Sequence, residues 1–198
     1  MLAVYSSLMT SEQKIVEGCI AGKRLAHNLL YRKYASKMLG VCMRYCKNKQ
    51  EAEDILQDGF IKVFFNIKNF RKEGSFEGWI RKIMINTALN NYQSNLKHSN
   101  HSDIEDIEEF FNFMEYENEE KFNSVKILPN NQLMIIIQSL PCGYRMVFNL
   151  YAIEGYSHKE ISNLLNISEN TSKSQLSKSR KFLKKKIIEV QQKMIISK

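Results

Sequence analysis

The stretch SHKEISNLLNISENTSKSQLSKSRKFL, residues 157–183, contains two helix starts eleven residues apart. Ser157 and Glu160 form the pair Ser-x-x-Glu, a capping box that begins a short helix. Ser168 is placed to cap a second helix, because its hydroxyl can accept a hydrogen bond from a free backbone N–H of the first turn. Two helices joined by a tight turn, the second long and polar, are typical of the helix-turn-helix motif.

The second helix of this motif has one polar, positively charged side. With Ser168 as its N-cap, the spacing predicts that four residues project from the same exposed side: Lys173, Ser174, Ser177 and Lys178. A helix fits the major groove of DNA, where hydroxyls and lysines reach base edges and phosphates. The basic run that follows suits salt-sensitive phosphate contact; it contains Arg180, Lys181, Lys184, Lys185 and Lys186. The simpler interpretation is a solvated helix face, but the capped helix directly before it favours DNA binding.

Helical patterns continue upstream of this motif. Pro141 suits the first turn of a helix that Gly155 ends. The apolar face of that helix contains Tyr144, Val147, Phe148 and Tyr151. We therefore predict a helical domain over residues 130–193.

An N-terminal helical domain is predicted over residues 10–95. In EDILQDGFIKVFFNIKNF, residues 53–70, apolar side chains recur every three or four positions and predict a buried stripe. That stripe consists of Leu56, Phe60, Phe64 and Ile67. Glu51, Asp54 and Asp58 share a polar face of the same helix.

A second helix of this domain is predicted from Ser75 to about Tyr92. Its inner stripe consists of Phe76, Trp79, Ile80, Ile83 and Thr87. The place of Trp79 on this stripe favours a core role over a stacking surface. The polar residues off the stripe are Arg81, Lys82, Asn86 and Asn90.

The segment between the two domains, residues 96–129, has a different composition. Nine of the 21 acidic residues lie between Asp103 and Glu120, where there is no Lys or Arg. The chain as a whole carries a net charge of +8, so the remainder is strongly basic and favours a polyanionic partner. We interpret the segment as a flexible acidic linker with one short helix around residues 104–115.

The composition favours an all-α fold, because the chain has only two prolines and eight glycines and long helix-like spacing. No apolar run reaches the roughly 18–20 residues that span a bilayer, so no membrane insertion is expected. The four cysteines show no disulfide framework, which favours the cytoplasm. Cys42 with Cys46, and His98 with His101, are interpreted as buried thiols and exposed histidines, since a zinc site needs about four ligands. No metal site, cofactor or catalytic group is predicted.

Two parts of the chain together resemble one family. LPCGYRMVFNLYAIEGYSHKEISNLLNISENTSKSQLSKSRKFL closely resembles region 4 of the sigma factors of bacterial RNA polymerase. EAEDILQDGFIKVF followed by SFEGWIRKIMINTALN resembles sigma region 2. The two motifs occur in the family's order and cover some 120 of the 198 residues. The short linker resembles that of the extracytoplasmic-function (ECF, group IV) class of the sigma-70 family.

The resemblance implies partners and roles for residues. The acidic face would dock on the β′ clamp coiled coil of core polymerase through Glu51, Asp54, Gln57 and Asp58. The β flap and a cognate anti-sigma factor are further implied partners. Around the melted −10 strand of promoter DNA, the implied contacts are Arg81, Lys82, Asn86 and Asn90, with Asn86 at the mouth of a flipped-base pocket.

At the −35 duplex, the resemblance implies contacts from Lys173, Ser174, Ser177 and Lys178, with Arg145 and Arg180 on phosphates. Lys181 belongs to the basic run that is expected to contact phosphates of the same duplex. Many relatives have Arg or an aromatic residue where Ser177 stands, so the base preference of the helix stays open. The chain is thus expected to direct promoter-specific initiation. The alternatives are a stand-alone helix-turn-helix regulator that binds duplex DNA without polymerase, and a helical adaptor whose basic tail only solubilises it.

Overall fold

A computed structural model describes residues 12–98 and 128–196. Within these two ranges the structure has helices and no β-strand, so the all-α prediction is confirmed. The helices are α1 (Glu12–Ile20), α2 (Arg24–Tyr45), α3 (Lys49–Asn66), α4 (Phe76–His98), α5 (Asn130–Gln138), α6 (Cys142–Phe148), α7 (His158–Leu165) and α8 (Glu169–Ile196). The predicted short helix at 104–115 lies outside the described residues.

The chain divides into two compact units. The first is formed by Met1–Cys42 and Gln50–Thr87, and the second by Met43–Lys49 and Ala88–Lys198. The described part of the first unit contains α1, most of α2, most of α3 and the first half of α4. The second contains α5 to α8.

The core of the first unit follows the predicted stripe of α3. Leu56, Phe60 and Ile67 are 5%, 2% and 1% exposed. Ile67 begins a short 3-10 turn, Ile67–Asn69, that ends the helix. The turn and the start of α4 share an aromatic cluster in which Trp79 is half-buried and stacks on Phe76 at a centroid distance of 5.6 Å. Trp79 therefore packs with the core, as its position on the stripe predicts.

Helices α3 and α4 approach closely where Gly59 faces Met84. A Cβ atom added at Gly59 would overlap the sulfur of Met84, whose side chain is fully buried. Gly40, in the middle of α2, has no atom within 4 Å of an added Cβ. Both glycines are thus in helices, but Gly59 faces a filled site and Gly40 faces an open one.

Replacing each glycine by alanine should have opposite effects on stability. Gly59→Ala should lower the free energy of unfolding by about 1–3 kcal/mol, because it overpacks a filled core. Gly40→Ala should raise it by about 0.5–1 kcal/mol, because alanine has the higher helix propensity. Denaturant unfolding followed by the fluorescence of Trp79, the only tryptophan, reports on this unit. Equal effects of the two substitutions would contradict the close approach.

The second unit is built around the long helix α8. Its 28 residues span about 42 Å at about 1.5 Å per residue. Phe182 and Leu183 form a core with Leu128, Ile136 and Leu140. The basic run of residues 184–186 therefore belongs to a helix that is packed on one side. Helix α6 continues as a π-helical turn, Asn149–Ile153, before Gly155 with φ of +79° ends it, as predicted.

Candidate nucleic-acid interface

Local hydrogen bonds define the helix-turn-helix. The hydroxyl of Ser157 accepts from the backbone N–H of Glu160, whose carboxylate accepts from the N–H of Ser157 at 2.8 Å, so the capping box is confirmed. The Glu160 carboxylate also accepts from the hydroxyl of Ser157 at 2.7 Å, and the backbone and side-chain hydrogen bonds that it accepts from Ser157 lower the pKa of the Glu160 carboxyl. Asn166 ends α7 in the left-handed conformation with φ of 55°. The hydroxyl of Ser168 accepts from the N–H of Thr171 at 3.0 Å, which confirms it as the cap of α8.

The serines of α8 divide between two faces. Ser174 and Ser177 are exposed, whereas Ser172 and Ser179 are fully buried. The hydroxyl of Ser179 donates to the carbonyl oxygens of Tyr144 at 3.2 Å and of Gln175 at 2.7 Å. These buried hydroxyls anchor the helix, and only the other two serines are available to a partner.

The exposed side of α8 contains the residues that sequence predicts for DNA. Lys173, Arg180 and Lys181 are exposed, and Lys178 is half-buried. The guanidinium of Arg180 lies 5.6 Å from the ring centroid of Tyr151, which limits the positions it can adopt. With Ser174 and Ser177, these side chains form a surface of cations and hydroxyls that matches phosphates and base edges. We call this set the basic face.

Contacts behind the basic face fix the angle between α7 and α8. The imidazole of His158 stacks on Tyr151 at a centroid distance of 4.5 Å, and its Nδ1 lies 2.9 Å from the hydroxyl oxygen of buried Ser172. Sequence reasoning did not identify these positioning residues. A signal was present, since Ser172 and Ser179 share the helical spacing of Leu176 and therefore lie on its buried side.

The structure contradicts the phosphate contact predicted for Arg145. The residue is 3% exposed. Its Nη1 donates to the carbonyl oxygens of Gln138 at 2.7 Å and Leu140 at 3.2 Å. These carbonyls lie where α5 ends, and the last carbonyls of a helix have no partner within the helix. The guanidinium of Arg145 therefore caps α5 inside the protein and does not face DNA.

The polar residues predicted to lie off the inner stripe of α4 do so, although to different extents. Lys82, Asn86 and Asn90 are exposed, and Arg81 is half-buried. Thr87, on the inner stripe, is 4% exposed; its hydroxyl accepts from Nζ of Lys62 on α3 at 3.2 Å and donates to the carbonyl of Ile83 at 2.8 Å. The hydrogen bond between Lys62 and Thr87 thus joins α3 to the residue that directly follows Asn86.

A cavity of about 220 Å³ lies beside the loop before α4. It is lined by Glu12, Gln13, Val16, Phe70, Lys72, Gly74, Ser75 and Phe76. Its volume would accept a nucleobase, but Asn86 is not among its lining residues. The structure therefore does not bring Asn86 and this cavity together as one pocket.

The acidic face is on α3, as predicted. Asp54, Gln57 and Asp58 are exposed, and Glu51 is half-buried. In a chain of net charge +8, exposed carboxylates on one face repel DNA and suit a basic protein surface.

No disulfide joins the cysteines of the described part of the chain. Cys42 and Cys46 are fully buried, as predicted, and burial raises the pKa of the Cys19 thiol to about 11. In the described ranges, no group of three or more His, Cys, Asp or Glu side chains could hold a metal ion. The side chains of His98 and His101 lie outside the described residues. Among the described helices, none combines the length and apolar character needed to cross a membrane.

Comparison with known proteins finds two family models on the chain. The model of sigma-70 region 2 matches residues 30–97, and the model of sigma-70 region 4 matches residues 131–183. The two matches together cover more than half of the chain, in the order that the motifs predict.

Several curated proteins are similar along nearly their whole length. The RNA polymerase sigma-H factor of Pseudomonas aeruginosa is 29% identical over 178 residues, covering 88% of this chain and 92% of that protein. The ECF RNA polymerase sigma-E factor of Haemophilus influenzae is 26% identical over 181 residues, covering 89% of this chain and 95% of that protein.

A solved structure, the sigma factor RpoE with the anti-sigma factor NepR from Bartonella quintana, matches 81% of this chain and 95% of that chain. Its TM-score is 0.47 at 15% identity. The chain belongs to the sigma-70 family and is an RNA polymerase sigma factor of the ECF class.

Proposed function

We propose that this sigma factor divides promoter recognition between its two helical regions as follows. Residues 10–95 dock on core polymerase and bind the melted −10 strand, residues 96–129 link the two regions, and residues 130–193 bind the −35 duplex. The observation that carries the proposal is the sign of the exposed charge. Exposed acidic side chains lie on α3, and exposed basic ones lie on α8.

For the −35 element, the basic face of α8 supplies base and phosphate contacts. Ser174 and Ser177 offer hydroxyls that donate and accept, while Lys173 and Lys178 offer cations. Arg180 and Lys181 contact phosphates farther along the same helix. Arg145 is left out of this set because its guanidinium is buried.

For the −10 element, Asn86 is the base-reading residue. A carboxamide has two donors and an acceptor, so it can form paired hydrogen bonds with a base edge. Lys82 and Arg81 lie four and five residues before it on α4 and would bind the strand backbone, with Asn90 one turn after it. Extruding a base costs a few kcal/mol, so such contacts must offset that cost.

For the polymerase, the acidic face of α3 is the docking surface. The proposed partner is the β′ clamp coiled coil, which would carry basic side chains opposite this row of carboxylates. The β flap is the proposed contact of residues 130–193. We also propose that the protein acts in the cytoplasm, has no catalytic activity or cofactor, and is bound by a cognate anti-sigma factor.

The stand-alone regulator is not favoured. A regulator that binds duplex DNA without polymerase needs neither the acidic face of α3 nor the exposed Asn86. Both lie in the part of the chain that matches sigma region 2.

An Asn86→Ala variant tests the −10 assignment. Core polymerase is reconstituted with the protein, and the DNA it selects from a random library supplies the promoter. Asn86→Ala should then reduce open complexes about tenfold or more, because one good base contact contributes about 1–3 kcal/mol of discrimination. Permanganate reactivity of unpaired thymines measures the opening.

The matched control is Asn95→Ala, which changes another exposed asparagine of α4. It should leave open complexes unchanged, and Asn86→Ala should leave binding to core polymerase unchanged. Equal losses from the two variants would refute the role of Asn86. Tight, specific binding of the selected promoter without polymerase would instead support the regulator.

A further inference from the structure

Two large apolar side chains on α3 face solvent. Phe65 is 81% exposed and Ile61 is 53% exposed. Phe65 is the most exposed large hydrophobic residue among those the structure describes. Single exposed apolar residues are ordinary on protein surfaces, but a neighbouring pair on one helix face marks an interaction site more often.

The exposure of Phe65 is not the result of a frayed helix end. The amide of Asn66 donates to the carbonyl of Lys62 at 2.9 Å, which satisfies a carbonyl of the last turn. Ile67, two residues after Phe65, is 1% exposed and anchors the chain in the core. On the other side of the helix, Phe60 and Phe64 contact the rings of Tyr31 and His27. The backbone around Phe65 is therefore fixed, and its ring points outward.

The apolar pair continues the acidic face. At about 100° per residue, Asp54, Asp58, Ile61 and Phe65 fall within an arc of about 60°. From Asp54 to Phe65 the row extends about 16 Å along the helix. Its first half is acidic and its second half is apolar. A partner helix that follows this face and covers the carboxylates meets Ile61 and Phe65 within the next two turns.

We propose that Ile61 and Phe65 form the apolar end of the surface that binds core RNA polymerase. The polymerase surface would then have basic side chains opposite Asp54 and Asp58 and an apolar recess one to two turns farther along. This inference rests on the proposed docking role of the acidic face. The inference adds two apolar contacts, from Ile61 and Phe65, to the docking surface. These contacts would make the choice of partner depend on shape as well as on charge.

A second copy of the chain is a poorer occupant of this row. Parallel pairing would place Asp54 and Asp58 against their own copies, where like charges repel. Antiparallel pairing would bury those carboxylates against Ile61 and Phe65 without a partner, which is costly. A basic and apolar surface of another protein avoids both problems.

The test measures the affinity of full-length variants for core polymerase. Phe65→Gln keeps a good helix former and removes the ring. It should weaken binding about 10- to 30-fold, as loss of an aromatic anchor does, with little change in salt dependence. Asp54→Lys with Asp58→Lys should weaken binding and change the salt dependence. Ile61→Gln should weaken binding less than Phe65→Gln.

The matched control is Ile20→Gln, which removes another exposed apolar side chain of the first unit. Neither this variant nor Phe65→Gln should change the thermal unfolding temperature, since both side chains face solvent. Only Phe65→Gln should change the affinity for polymerase.

Each outcome separates the inference from the function it rests on. Weaker binding after the charge reversal but not after Phe65→Gln or Ile61→Gln would overturn the inference and leave the docking role intact. Unchanged binding in all variants would overturn both. If Phe65→Gln weakens binding but the charge reversal does not, the apolar pair and the acidic face do not form one surface, and the inference is overturned. If sedimentation shows that Phe65→Gln abolishes self-association and polymerase affinity is unchanged, the occupant is a second copy and the inference is overturned.

Discussion

Reversing the charge at both Asp54 and Asp58 should reduce transcription from the selected promoter at least about 100-fold. Both carboxylates are exposed on α3. Against a basic surface, each lysine replaces an attraction by a repulsion, and like charges at an interface cost several kcal/mol. Run-off transcription with reconstituted polymerase measures the effect.

Glu17→Lys, compared with Asp58→Lys alone, is the control for net charge. Glu17 is an exposed carboxylate on α1 and is outside the acidic face. The Glu17→Lys substitution changes the total charge by the same amount as Asp58→Lys and should leave transcription near the wild-type level. Wild-type transcription by the double Asp54 and Asp58 variant would refute the docking assignment.

The second large effect concerns Arg145. Arg145→Leu should lower the stability of the second unit by about 3 kcal/mol. It removes two charge-assisted hydrogen bonds, from Nη1 to the carbonyls of Gln138 and Leu140, and leaves one acceptor in a part-buried site and the other in a buried one. Hydrogen exchange of peptides from α5 and α6 measures this loss. Trp79 lies in the first unit, so its unfolding transition should not move and serves as an internal control.

Salt dependence separates this capping role from a phosphate contact. Removing one phosphate contact reduces the slope of log affinity against log salt by about 1. At a salt concentration where the variant is folded, Arg145→Leu should keep the wild-type slope for promoter DNA in holoenzyme, and Lys173→Ala should reduce it. A reduced slope for Arg145→Leu with unchanged hydrogen exchange would restore the phosphate contact.

Features that depend on neighbouring residues could be predicted from the sequence. The capping box of Ser157 and Glu160 and the cap at Ser168 need only residues within one helical turn, and both are present. The stripe of Leu56, Phe60 and Ile67 follows from helical periodicity alone. The family assignment also required no structure, because two motifs in the right order identify it.

Features that depend on residues distant in the chain, or on backbone groups that have no partner within their helix, could not be predicted from the sequence. Arg145 looks like a surface cation in sequence, and only the fold shows that the end of α5 leaves carbonyls for it. Helix α4 continues to His98, beyond the end predicted at Tyr92, because polar residues in its last turns give no apolar period to follow. The exposure of Phe65 could not be predicted, because helical periodicity identifies the buried stripe and does not show which neighbouring apolar residues face solvent.

The close approach at Gly59 has a mechanical consequence. Gly59 directly follows Asp58 of the acidic face, and Met84 lies two residues before Asn86. The contact between them and the hydrogen bond from Lys62 to Thr87 join α3 to α4 at two neighbouring points. A displacement of α3 would therefore also shift the part of α4 that contains Asn86.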